Sequence, residues 1–114
     1  MEAYYEFKKL KLNIWKAMAS LSEQEYAAAL ANDKAALKKI WKALKELEDA
    51  LAVVDAAQRK YMLSPESLKI SIVDLKKTVG KIKKYRKEMD DLNKSLKTVA
   101  RLLELLTGVI KLIT

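Results

Sequence analysis

The amino-acid sequence predicts an all-α protein, and three observations carry that expectation. Ala, Leu and Lys, all strong helix formers, supply 15, 18 and 20 of the 114 residues. Two Gly and one Pro are too few for the turns of an all-β chain. Apolar residues recur at alternating three- and four-residue steps over most of the length, the signature of helices packed side by side. With 51% apolar residues the chain can bury a core, and its length suits one domain, 1–114.

The elements follow in order. Tyr4, Phe7, Leu10, Ile14, Met18 and Leu21 mark a first apolar stripe. A helix start is then written in Leu21-Ser22-Glu23-Gln24-Glu25-Tyr26. Ser22 suits the cap, Glu25 three residues on completes a capping box, and Leu21 and Tyr26 fit a hydrophobic staple. The second stripe runs through Tyr26, Leu30, Leu37, Ile40, Leu44, Leu47, Leu51, Val54 and Tyr61. A second start signal is Leu63-Ser64-Pro65-Glu66-Ser67-Leu68, with Ser64 as cap and Pro65 at the first helical position. Leu63 and Leu68 again make a staple pair, and Glu66 suits the positive helix end. The third stripe is Leu68, Ile72, Leu75, Val79 and Ile82, resuming through Tyr85, Met89, Leu92, Leu96, Val99, Leu103, Leu106, Ile110 and Ile113. Between Val79 and Met89 the steps shorten, a local stammer beside Gly80.

Two polar interruptions, Asn32-Asp33 and Asp90-Asp91-Leu92-Asn93, lack Pro, Gly and a staple. The favoured reading therefore keeps the chain helical through both. It has three helices, about 2–20, 23–62 and 65–113, the last roughly 70 Å long at ~1.5 Å per residue. Helices two and three form a long antiparallel hairpin, with the N-terminal helix packed beside its open end under an aromatic lid of Tyr4, Tyr5 and Phe7. In that hairpin Glu46 lies near Lys81 and Asp49 near Lys77. The alternative is a four-helix up-down bundle with breaks at both interruptions and helices near 2–31, 34–62, 65–90 and 94–113.

Composition narrows the chemistry. The chain has no Cys, hence no disulfide, thiol nucleophile or thiolate metal site, and no His, the commonest general base and metal ligand. It has no Glu-x-x-His pair for a carboxylate-bridged metal centre and no glycine-rich phosphate loop. The densest acidic group, Glu46, Glu48 and Asp49, is interleaved with Lys42 and Lys45 and reads as helix-surface charge pairing. No catalytic residue, cofactor, metal or small-molecule substrate is expected. The N-terminal residues lack the order of a signal peptide, and no apolar run approaches the ~20 residues of a membrane span. A cytoplasmic location is expected.

Two surfaces remain as candidates for function. Net charge is +8, and residues 63–114 hold 12 basic and 6 acidic side chains against 11 and 9 in residues 1–62. Within 76–87, seven of twelve residues are basic. Lys76, Lys77, Lys81, Lys83, Lys84, Arg86 and Lys87 surround Gly80, whose bare backbone admits close approach of a phosphate. The plain reading is a solvated helix face; the functional one is a site for nucleic acid or another anionic surface. Tyr85 is the sole aromatic there, and no DNA- or RNA-reading motif accompanies it. The second surface combines Trp15, Trp41, Leu102, Leu105, Val109 and Leu112. The two Trp sit at stripe edges, as core-rim residues or interface anchors. The last four belong to the amphipathic segment Val99–Ile113, whose broad apolar face suits the core first and a partner or membrane surface next.

The functional expectation is a non-enzymatic helical interaction or structural module that binds another protein or a second copy of itself. A basic accessory protein for nucleic acid is the alternative, and a membrane-surface role is less favoured. A designed helical bundle would also lack His and Cys, although the mid-helix Gly80 and the uneven seams depart from ideal design.

Overall fold

In the computed structural model, the backbone is described for residues 2–67 and 72–113 and the side chains for residues 3–66 and 73–109. The described residues form four α-helices: α1 (Glu2–Leu30), α2 (Lys34–Leu63), α3 (Ile72–Arg86) and α4 (Leu92–Ile113). The all-α class holds, and the four-helix alternative replaces the favoured three-helix reading.

The expected start at Ser22 does not form. α1 runs unbroken through it, and Ser22 is an exposed mid-helix residue. The reason lies in small residues. Ala3, Phe7, Leu10, Ile14, Ala17, Leu21 and Ala28 are buried on one face, and Gln24 completes their alternating four- and three-residue steps. Breaking the helix at Ser22 would disrupt that register. A cap contributes ~1 kcal/mol, whereas burying one Leu contributes ~1.5–3 kcal/mol. Glu25, freed from the capping box, accepts the Trp41 indole N–H at 2.6 Å.

The break comes at the first polar interruption instead. Asn32 takes a left-handed conformation, φ 53°. The Asp33 N–H then donates to the Ala28 carbonyl at 2.9 Å and the Asn32 N–H to that of Ala29 at 3.1 Å, closing α1 with a Schellman motif. The Asp33 carboxylate accepts the Ala36 N–H at 3.1 Å and caps α2. The core face of α2 then repeats the four-and-three pattern through Ala36, Ile40, Ala43, Leu47, Val54 and Ala57.

α1 and α2 are antiparallel. Phe7 lies 6.0 Å from Tyr61 between ring centroids, Lys11 is 2.9 Å from Asp55, and Glu25 meets Trp41, so rising numbers on one helix face falling numbers on the other. Phe7 is fully buried in this pairing and Tyr5 is exposed, so the aromatic N-terminal residues do not form a lid over a hairpin's open end.

The expected helix 65–113 is likewise divided. Pro65–Ser67 forms a single 3-10 turn, and Ser64 closes α2 by donating its N–H to the Lys60 carbonyl at 2.8 Å. Leu68 lies outside the described residues, and its expected staple partner Leu63 is exposed. α3 stops at Arg86, so no stammer exists: the chain leaves the helix before Met89, which is buried in the connection. Asp91 caps α4, its carboxylate accepting the Lys94 N–H at 2.8 Å.

Round the bundle the order is α1, α2, α4, α3, so α2 and α3, consecutive in sequence, stand diagonally opposed. The expected hairpin of helices 23–62 and 65–113, with Glu46 near Lys81 and Asp49 near Lys77, is therefore not formed; Asp49 instead pairs with Lys45, one turn away, at 2.9 Å. Phe7, Leu10, Ile14, Leu21, Ile40, Leu47, Leu75, Ile82, Leu102 and Leu106 fill the interior of a body 50 × 21 × 19 Å. Asn13, almost fully buried, donates to the Lys9 carbonyl at 2.8 Å and accepts Arg86 Nε at 3.0 Å, pinning the end of α3 to α1.

Candidate interaction surfaces

The basic face lies on α3 and the turn after it. Lys76, Lys77, Gly80, Lys81, Lys83, Lys84 and Lys87 are exposed there, while Leu75, Val79 and Ile82 hold the opposite face in the core. Arg86 differs from its neighbours. Its guanidinium is half-buried and committed to Asn13, so it anchors α3 rather than joining the displayed charges. A Cβ placed on Gly80 would meet nothing within 4 Å, so the backbone is open to solvent at that point. Towards α4 the face runs into a cleft of about 450 Å³ lined by Lys87, Lys94, Lys97 and Arg101, with Glu88 and Asp90 between them. Those carboxylates answer part of the charge: Lys94 lies 3.4 Å from Asp90, and Arg101 lies 3.9 Å from Glu88 with its guanidinium over the Tyr85 ring.

The second candidate set divides. Leu102 and Val109 are buried in the bundle's own core, Leu105 is partly buried, and the side chain of Leu112 lies outside the described residues. α4 packs against α2 and α3 and touches α1, which is why its apolar face is broad. Trp15 and Trp41 are both half-exposed, on the outward side of the α1–α2 pair. Trp15 lies with Lys11, Leu51, Ala52 and Asp55 along one groove, and Trp41 with Leu37 and Lys38 along another.

One surface is not evident from the apolar stripes of the sequence. The back of α1 carries Tyr5, Leu12, Trp15, Tyr26 and Leu30, all exposed, with Tyr26 at 68% and Leu30 at 72%. The sequence pattern assigns Tyr26 and Leu30 to the core of a second helix. Because α1 does not break at Ser22, its register continues and turns both residues to solvent. The signal is present as a heptad series 5, 12, 19, 26, lying opposite the buried seam.

The electrostatics are those of surface ion pairs. The hydrogen bond from Lys11, against the cost of burial, lowers the Asp55 carboxyl from its ordinary value, and Arg59 adds to this at 2.9 Å. The hydrogen bond to Asp49 raises the Lys45 ammonium. Among the described residues, no cluster of three or more carboxylates is arranged to hold a metal ion, and no helix is long and apolar enough to cross a membrane. No protein-family model, curated protein or solved structure matches the chain.

Proposed function

We propose that this chain is a non-enzymatic helical interaction module, working in the cytoplasm, that associates with itself through the outer face of α1. The observation that carries this is the second apolar stripe on α1, at heptad spacing, on the side the bundle does not use. Scattered exposed apolar residues are ordinary on a surface; an aligned row with Trp15 and two Tyr is the composition of an interface. Sedimentation velocity over a wide concentration range tests it. The wild-type chain should gain mass with concentration. The Leu12→Lys/Trp15→Lys variant should stay monomeric with unchanged helix content by circular dichroism. A wild-type chain that remains monomeric at every concentration speaks against self-association.

A second reading is favoured by the lysine display on α3, where Lys76, Lys77, Lys81, Lys83 and Lys84 share one exposed side of a 15-residue helix. In this reading the face binds duplex DNA, RNA or another polyanion without sequence preference. Binding should be visible at ~50 mM salt and fall steeply as salt rises. An isotherm flat at that salt ends this reading.

A further inference from the structure

We infer that the occupant of the outer α1 face is the same face of a second copy, laid antiparallel across a twofold axis near Trp15 and Lys16. This rests on the self-association reading above and adds the orientation and register.

The central row of the face is Tyr5, Leu12, Ala19 and Tyr26, all exposed. Seven residues are close to two helical turns, so the row runs almost parallel to the axis of α1, the shape that another helix fits. α2 and α3 occupy the flanks of α1, which leaves this ridge outward.

The charges beside the row are polarised along the helix. On one flank Lys9 stands in the first half, Lys16 at the middle and Glu23 in the second half, all exposed, and Lys9 also lies 3.2 Å from Glu6 of its own helix. A parallel copy would set Lys9 on Lys9 and Glu23 on Glu23. An antiparallel copy brings Lys9 within side-chain reach of Glu23 of the second copy, because both lie on the same flank of the row, and does so twice by symmetry. It also opposes the two helix dipoles.

Side-chain size follows the same reversal. Turning the row end for end about its midpoint sets Tyr5 opposite Tyr26 and Leu12 opposite Ala19, aromatic against aromatic and large against small. Trp15 then meets its own copy beside the axis. Lys16, on the other flank, keeps its ammonium in water at the end of a long stem. The pairing is isologous, so it closes at two copies and does not propagate into a fibre.

Charge exchange at two exposed positions tests the inference. Sedimentation equilibrium is run on the wild-type chain, on Lys9→Glu, on Glu23→Lys, and on an equimolar mixture of the two variants, with circular dichroism confirming that each variant folds. The wild type should dimerise. Each variant alone replaces two attractive pairs with two repulsive ones, and its dissociation constant should rise about ten-fold. In the mixture every altered position meets an opposite charge, and affinity should return to near the wild-type value. A monomeric wild type overturns this inference and the self-association reading together. A wild-type dimer whose single variants bind as tightly as it does, or whose mixture stays as weak as the single variants, overturns the antiparallel α1 pairing and leaves self-association standing.

Discussion

The Gln24 side-chain amide donates to Ser95 Oγ across 2.6 Å, and both residues occupy seam positions where an apolar side chain would fill the core. Among the described residues Gln24 Oε1 is a buried acceptor with no hydrogen-bond donor. This polar contact holds α4 in register against α1, as a single buried amide can in a coiled coil. Its two halves should respond differently to substitution. Ser95→Ala strands the Gln24 amide and should lower stability by about 1–3 kcal/mol. Gln24→Leu combined with Ser95→Ala removes both polar groups and the orphan acceptor, and should match or exceed wild-type stability. Urea denaturation decides; equal losses in the single and double variants would contradict this account.

Asn32 and Gly80 each hold a residue type that their backbone conformation does not favour most. Asn32 sits at φ 53°, where a glycine has no Cβ penalty, while Gly80 lies in an exposed helix interior with open space where an alanine methyl would stand. Asn32→Gly should therefore raise stability slightly. Asn32→Ala should lower it by about 1 kcal/mol. Gly80→Ala should raise it by about 0.5–1 kcal/mol through helix propensity alone. Thermal melts of the three variants check the signs.

Leu102 has no exposed surface and sits among the core residues of α4. Leu102→Ala should lower unfolding free energy by about 2–5 kcal/mol, with a cavity left behind. Leu105→Ala, at a partly buried position on the same helix, should cost less. Chemical denaturation of the pair separates a core position from its neighbour.

Asp55 carries a predictable pH dependence. Its folded carboxyl is lowered from the ordinary value, chiefly by the Lys11 hydrogen bond, so the folded state favours the ionised form. The resulting stabilisation is present above the ordinary carboxylate range and fades as pH falls through the lowered folded value. Asp55→Asn should therefore be less stable than wild type at neutral pH, and the gap should shrink on acidification. A gap that stays constant from neutral to strongly acidic solution would show that the ion pair does not contribute.

Much of the bundle is legible in the sequence, and the misreadings have a common cause. Phe7, Leu10, Ile14, Leu21, Ile40, Leu47, Val54, Leu75, Val79 and Ile82 all fall on apolar stripes by spacing alone, and all are buried. Ala17, Gln24 and Ala28 drop out of those stripes, because an alanine or glutamine gives little hydrophobic signal. Those three residues carry α1 through Ser22. The same omission hides the outer stripe, since Tyr26 and Leu30 turn outward only when the helix is continuous. Of the surface candidates, the α3 lysines are displayed as their spacing implies, whereas Arg86 is withdrawn by a contact to Asn13, 73 residues away.

By itself the sequence determined the helical class, the residue types at most core positions and the absence of thiol or imidazole chemistry, because these follow from composition and from periodicity within one segment. Tertiary packing decided where the helices end, which helices are neighbours and which face of α1 meets water. Each of those outcomes is a competition between a local signal of about a kilocalorie and the burial of many side chains contributed by distant parts of the chain. A local pattern records the first side of that competition, and only the assembled bundle contains the second.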